Sequence, residues 1–179
     1  MTSRLVLELT HRYLEPHRHY HTLEHIAAML HAGRAAPLDD VQTMAVWFHD
    51  AVYDPRSKTN EADSAVLAGE RLRAAGWSAA DVDRVQRIVL DTQHHRPTAP
   101  GSDVVLDLDL MSLAAPWDEF ARNTDRIRAE YAHVADADFT AGRRAFFTTM
   151  LQRERLFWSP FGAAWEAPAR ANLRRAAGG

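Results

Sequence analysis

Histidine and aspartate side chains, which are of the types that bind divalent metal ions, recur in separate stretches of the chain. Six of the ten histidines lie within residues 11–31. His21 and His25 are four residues apart, so on a helix they would share one face and could converge on one ion or one substrate. The pair His49 and Asp50 ends an apolar run. Burying an imidazole beside a carboxylate is costly unless a partner binds both, and a divalent cation such as Mn, Fe, Mg, Co or Zn suits both ligands.

A later stretch supplies two more carboxylates. Asp107 and Asp109 alternate with leucines in Leu106–Leu110, and a period of two is typical of a β-strand. In a strand both carboxylates would face the same way, whereas in a helix they lie about 200° apart and only one could join a given site. Because the rest of the sequence offers no partner strand, a short buried helix is the favoured interpretation.

The elements that must position these residues are helices, because apolar residues recur with helical spacing along nearly the whole chain. Pro, Gly, Asp and Ser residues mark the expected starts and stops. With no internal repeat or linker, residues 1–179 are expected to form a single all-α domain. The predicted helices carry Leu5–Tyr13, about His21–Ala32, Asp39 or Asp40 to Val52, Asn60–Ala75, Ser78 to Val89, Pro116–Tyr131, Phe139 to about Arg153, and Ala169–Arg175.

Composition excludes several classes of protein. Of the 179 residues, 46% are hydrophobic and 25% are charged, which is typical of a folded domain, and no apolar run approaches the roughly 20 residues of a membrane span. A net charge of −3 predicts no nucleic-acid surface. The absence of cysteine excludes disulfides, thiolate zinc sites and a cysteine nucleophile. We expect a cytoplasmic protein, because the first residues are amphipathic and unlike a signal peptide.

The order of these residues resembles that of the HD-domain superfamily of metal-dependent phosphohydrolases, and in particular a group of small bacterial members of about this length. The core of the resemblance is His25, then the pair His49-Asp50, then a distant Asp in an apolar helix. The segments that carry it span residues 18–173: Arg18–His21 with His25-Ile26, Trp47–Asp54, Asn60-Glu61 with Ser64-Ala65, Thr92 with His95, Leu106–Leu110, Arg128 with Glu130-Tyr131, and Ala171–Leu173.

The resemblance implies a helical bundle of the HD-domain type, in which His25, His49, Asp50 and a late Asp surround a divalent metal ion. For that last ligand Asp109 is preferred over Asp107, because Asp109–Leu113 best matches the family's segment. The implied activity is that of a hydrolase: a metal-activated water attacks a phosphoester, either a nucleotide or another small phosphorylated molecule. Neither the substrate nor the identity of the metal follows from the pattern.

Five further residues each have more than one interpretation. By similarity to cyclic-nucleotide phosphodiesterases, His21 would be a general acid or a partner of a metal ligand. His95 would protonate the leaving group, or hold a second metal with His21, or lie in an exposed loop. Glu61 would orient a water or a ligand histidine, or simply favour the first turn of a helix. Arg18 and Lys58 would contact the phosphate, or be solvated surface residues.

Three other functions compete with hydrolysis. His21–His25 matches the inverted zinc-protease motif H-x-x-E-H, but that interpretation leaves His49 and Asp50 unexplained. A non-catalytic nucleotide-binding or regulatory HD module would keep the metal ligands without turnover, and a purely structural helical protein would need no metal. The expected partner is a small phosphorylated substrate, without nucleic acid or membrane. The aromatic tail is compatible with a homo-oligomer, although packing within one chain is the expectation.

Overall fold

The apolar periodicity of the sequence produces helices along most of the chain. The computed structural model describes residues 3–178, which form nine α-helices, two short 3-10 turns and, within that range, no β-strand. The predicted all-α class is confirmed. The helices are α1 (Ser3–Tyr13), α2 (Leu23–Ala32), α3 (Asp40–Phe48), α4 (Asn60–Ala74), α5 (Ala79–Asp91), α6 (Ser102–Leu110), α7 (Trp117–Glu130), α8 (Asp136–Leu151) and α9 (Glu166–Gly178), and the 3-10 turns are Met111–Ala114 and Gly162–Trp165.

Local signals begin and end several helices where they were predicted. Asp39 caps α3, because its carboxylate accepts the N–H of Gln42 at 2.7 Å while the Gln42 side chain accepts the N–H of Asp39 at 2.9 Å. The hydroxyl of Ser78 caps α5 by accepting the N–H of Asp81. After α4 the chain turns at Gly76, whose φ of 81° is accessible to glycine at little cost.

The helices pack around two apolar clusters that meet at α6. The first cluster lies among α1–α6, and the second joins the end of α6 to α7, α8, α9 and the intervening turn. Val105 and Leu108 belong to the first cluster, and Leu110 belongs to the second. Residues at the carboxyl end of α6 therefore lie between the two halves of the molecule. Within residues 3–178 no helix is long and apolar enough to cross a membrane.

The segment before α2 departs from the prediction. A helix from about His21 was expected, but α2 begins at Leu23, after extended backbone at Thr22. Glu130, the last residue of α7, accepts the backbone N–H of His21 and of the two residues before it, which holds this segment outside the helix. The prediction that His21 and His25 share one helix face is therefore wrong.

Other helix ends differ by a few residues. The apolar pattern of α3 continues to Val52, but the helix ends at Phe48, because the N–H of Val52 donates to the hydroxyl of Ser64 in α4 at 3.0 Å. Helices α8 and α9 each begin three residues earlier than predicted, at Asp136 and Glu166. These shifts leave the order of the helices unchanged.

Candidate metal centre

Three helices bring two histidines and one aspartate together. His25 lies in the first turn of α2, His49 directly follows α3, and Asp109 lies in the last turn of α6. One ligand atom from each of the three residues lies within 4.8 Å of the other two. His25 Nε2 is 3.1 Å from Asp109 Oδ1, and His49 Nε2 is 3.5 Å from the same oxygen. Atoms bound to one cation at about 2.1 Å lie roughly 3.0–3.5 Å from each other, so the group could hold a metal ion.

Asp50 lies beside this group rather than within it. Its Oδ2 is 3.0 Å from His49 Nε2. Burial would raise the pKa of Asp50, but the neighbouring His49 and His21 rings outweigh burial and lower it. Asp50 therefore stays ionised and adds a second negative charge beside His49.

The Nε2 atom of the His49 ring lies close to both of these carboxylates. Its Nδ1 is 2.9 Å from the carbonyl oxygen of Val46, so Nδ1 must be the protonated nitrogen that donates there. In the neutral ring Nε2 then carries a lone pair, and it is buried without a hydrogen-bond partner in the described part of the chain. A lone pair opposite Asp50 and Asp109 is unfavourable unless a proton or a cation lies between them.

The two carboxylates near His49 also change its pKa. Burial opposes a charged ring, but the carboxylates of Asp50 and Asp109 outweigh burial and raise the pKa of His49 well above its usual value. A divalent cation would satisfy the two carboxylates and leave the imidazole neutral, which is the form that binds metals. The residues present therefore fit such a cation.

The structure separates the two aspartates of α6, as a helix requires. Asp109 faces the histidines, whereas Asp107 is buried on the other side of α6. Asp107 accepts the N–H of Trp158 at 2.7 Å, and the N–H and hydroxyl of Ser159 at 2.8 and 2.6 Å. Asp107 thus holds the segment between α8 and α9, and the expected short helix replaces the alternative strand.

His95 reaches the same cluster from the turn after α5. Its Nε2 is 2.9 Å from Asp109 Oδ2, so the two oxygens of Asp109 face different histidines. The backbone of His95 is left-handed, with a φ of 48°, and its carbonyl oxygen accepts the indole N–H of Trp158 at 3.1 Å. Contacts of this kind are what hold a non-glycine residue in that conformation. The side chain is therefore part of the site and not an exposed loop residue.

Glu130 ties the segment before α2 to the site. One of its oxygens accepts the N–H of His19, Tyr20 and His21 at 2.8–2.9 Å. The other oxygen lies 2.7 Å from His21 Nδ1 and accepts the hydroxyl of Tyr53 at 2.7 Å. The sequence pattern included Glu130 in the resemblance but assigned it no role, because nothing local shows that a residue more than 100 positions away is its partner.

Glu130 is expected to make the folded protein sensitive to acid. Burial would raise its pKa, but the hydrogen bond and charge of His21 outweigh burial and lower the pKa of Glu130 from 4.5 to about 2. A carboxyl group whose pKa falls on folding stabilises the protein above its unfolded pKa. That contribution, about 3 kcal/mol, is complete above pH 4.5 and is lost as the pH falls to about 2. Urea unfolding from neutral pH to about pH 3 should show a steeper loss of stability for the wild type than for Glu130→Gln.

The control for this pH series is Glu119→Gln, which removes an exposed carboxylate from the same helix. Its stability should follow pH as the wild type does. Parallel stability curves for the wild type and Glu130→Gln would contradict the role assigned to Glu130.

The remaining predicted site residues, Arg18, Lys58 and Glu61, make no hydrogen bond or ion pair with the group of two histidines and one aspartate that the structure describes. Arg18 is buried and donates to the backbone carbonyls of His21, Asp50 and Ala51, an arrangement that does not favour a phosphate contact. Lys58 is exposed in the loop before α4. Glu61, in the first turn of α4, lines a cavity beside the metal ligands.

The placement of Glu24 argues against the protease motif. In H-x-x-E-H enzymes the glutamate must reach the metal-bound site. The Glu24 side chain is 77% exposed and pairs with Arg126 at 3.3 Å, and His21 lies outside α2. Residues His21–His25 therefore match the H-x-x-E-H sequence but do not form the metal site of such a protease.

A cavity of about 520 Å³ opens beside the cluster. Such a volume is in the range of small-molecule sites. One side of it is polar and includes Asp50, Asp109 and His95. The other side comes from α7, α8 and the turn between them, and is mainly apolar, with Phe120, Ile127, Tyr131, Val134, Phe139 and Phe146. From sequence these apolar residues could only be assigned to core-facing stripes, because helical periodicity does not distinguish a core from a cavity wall.

Comparison with protein-family models, curated proteins and solved structures finds no match for this chain. The similarity to HD-type phosphohydrolases that the residue pattern carries therefore stays a prediction. The fold and the cluster support a coarser statement, which is that an all-helical protein holds a His/Asp group able to bind a metal ion.

Proposed function

We propose that this protein binds a divalent cation through His25, His49, Asp50 and Asp109 and hydrolyses a small phosphoester in the adjoining cavity. The observation that carries the proposal is the buried Nε2 of His49, which has no hydrogen-bond partner in the described residues. It lies 3.0 and 3.5 Å from carboxylate oxygens of Asp50 and Asp109, two residues that line that cavity. When bound, such a cation would acidify a coordinated water and screen the negative charge of a phosphoryl group.

His21 is the residue best placed to supply a proton. Its Nδ1 is held by Glu130, so Nε2 is the atom free to face a ligand in the cavity that His21 lines. Burial disfavours the charged ring, but Asp50 and Glu130 outweigh it and raise the pKa of His21. A raised pKa favours the protonated imidazole, which is the form that can protonate the oxygen of a leaving group.

His95 has a different role in this proposal. Its Nε2 faces Asp109 Oδ2, so its contact is with a metal ligand and not with the leaving group. Fixing one carboxylate oxygen in this way orients the other oxygen towards His25 and His49. The same position would also allow His95 to hold a second cation.

The test is elemental analysis of the purified protein, followed by hydrolysis assays with 4-nitrophenyl phosphate and bis(4-nitrophenyl) phosphate under Mn, Mg, Zn, Co or Fe. We expect stoichiometric metal, loss of turnover on chelation and recovery when the metal is returned. His21→Gln should keep the metal but lose turnover by about 100-fold or more, within the usual contribution of a general acid.

The controls separate hydrolysis from binding alone. His31→Gln changes an exposed histidine of α2 and should keep both metal and turnover. A protein that retains metal and binds nucleotides without hydrolysing any ester would instead be a binding module. A protein that takes up no metal would contradict the proposal outright.

A further inference from the structure

The cavity beside the metal ligands contains one fixed positive charge, on Arg143 in α8. Among the cavity-lining residues that the structure describes, Arg143 is the sole Arg or Lys, whereas four residues carry carboxylates. Those four are Asp50, Glu61, Asp109 and Asp138. An anion entering this cavity would be repelled by the carboxylates, so a cation at the proposed metal ligands and the charge of Arg143 would both favour its binding.

The guanidinium of Arg143 has no carboxylate partner in the described part of the chain. Its Nε is buried and lacks a hydrogen-bond partner there. The group lies over two aromatic rings, 4.7 Å from the ring centre of Phe147 and 5.1 Å from that of Phe146. Burial lowers the pKa of Arg143, but an arginine side chain stays protonated in proteins. A partly buried arginine without an ion pair is able to bind an anionic oxygen through its planar set of donors.

The wall next to Arg143 is mainly apolar and aromatic, and its polar members are Asn123, Thr124 and Asp138. Ile127 in α7 and Tyr131 directly after it face the cavity, and so do Phe139 and Phe146 in α8. Side chains of this kind bury the apolar part of a ligand, while a few polar groups fix its orientation. The surroundings of Arg143 therefore suit a ligand that has an anionic end and an apolar body.

We infer that Arg143 binds the phosphoryl oxygens of the substrate, and that the substrate is a phosphoester whose organic part is apolar or aromatic. The inference rests on the proposed function, in which the metal ligands hold the cation that faces the same phosphoryl group. Arg143 is then the residue that selects for the anion, and the wall of α7 and α8 selects for the organic part. Small polar esters, such as simple sugar phosphates, would be poor substrates.

The test uses two phosphonates, which carry the same anionic group and are not hydrolysed. Phenylphosphonate and methylphosphonate are titrated calorimetrically into the metal-loaded protein. The wild type should bind phenylphosphonate about tenfold or more tightly, since the ring buries more apolar surface. Arg143→Gln should weaken both ligands by about 10- to 100-fold, as expected for a lost charge-assisted hydrogen bond. Phe139→Ala should reduce only the preference for the phenyl compound.

Two further variants control for charge and folding. Arg122→Gln removes an exposed arginine from α7 and should leave both affinities unchanged. Arg143→Lys keeps the charge but not the planar donors, so it should recover part of the affinity. Metal content, measured in every variant, should stay at the wild-type value.

The outcomes distinguish this inference from the proposed function. If esters are hydrolysed but Arg143→Gln binds phosphonates as well as Arg122→Gln does, the inference is wrong and the proposed function stands. If phosphonate binding depends on Arg143 but no ester is hydrolysed, Arg143 is an anion-binding residue, whereas the proposed function and the substrate class inferred from it are both wrong. A wild type that binds both phosphonates equally would overturn the predicted substrate class, and one that takes up no metal would overturn both proposals.

Discussion

Replacing His49 with glutamine is expected to abolish metal binding by this protein. The hydrogen bond from Nδ1 to Val46 leaves Nε2 free for a metal, and Nε2 is buried within 3.5 Å of carboxylate oxygens of Asp50 and Asp109 without a hydrogen-bond partner in the described residues. The glutamine amide would donate hydrogen bonds to those carboxylates and so remove the need for a cation. Affinity for the bound metal should fall by at least about 100-fold, since loss of even a ligand's partner costs 10- to 100-fold. Metal content after dialysis and competition with a chromophoric chelator would measure this loss.

His31→Gln is the matched control for this experiment, because His31 is an exposed histidine of α2 and is not part of the His/Asp group. It should retain full metal content. Far-ultraviolet circular dichroism of both variants should match that of the wild type, since apolar clusters pack the helices of residues 3–178. A His49→Gln protein that still holds stoichiometric metal with unchanged affinity would rule out the proposed centre.

The two aspartates of α6 are expected to give opposite results when each is changed to asparagine. Asp107→Asn places an amide N–H₂ against the donors of Trp158 and Ser159, which leaves buried donors facing each other. We expect a loss of about 2–4 kcal/mol in unfolding free energy, with metal still bound. Asp109→Asn removes the negative ligand between His25 and His49, so metal binding should be lost with a smaller effect on stability.

Thermal unfolding of the metal-free proteins measures the stability half of this comparison, since bound metal would itself stabilise the fold. For a chain of this size, 2–4 kcal/mol corresponds to a decrease in Tm of roughly 5–15 °C. Elemental analysis measures the metal content of the two variants. If Asp107→Asn lost the metal and Asp109→Asn kept it, the assignment of the two carboxylates would be reversed.

Several features of the site follow from local sequence alone. The period of apolar residues indicates helices, and capping residues such as Asp39 and Ser78 mark where they begin. A helix over Leu106–Leu110 separates Asp107 from Asp109 by more than half a turn, so one of the two had to lie away from any shared site. Local geometry could not say which one faces the histidines; the resemblance favoured Asp109, and the packing of α6 against α2 and α3 places that residue there.

Other features depended on contacts between residues distant in sequence. The helical spacing of His21 and His25 is real, but Glu130 accepts the backbone N–H groups that a longer α2 would have used. His95 could have been a surface residue until the turn after α5 brought it to Asp109. No sequence pattern indicated that Arg143 is functional, because an arginine in an amphipathic helix is usually assigned to the solvent-exposed face.

The residue pattern determined the helical class of this protein and the chemical types of its candidate metal ligands, since both depend on short-range periodicity and on side-chain chemistry. Tertiary packing settled which of those side chains meet, what holds each ring in its orientation and which residues border the cavity. The physical reason is that a hydrophobic period specifies which face of a helix is buried but not which partner buries it. That partner is set by the simultaneous packing of all the helices.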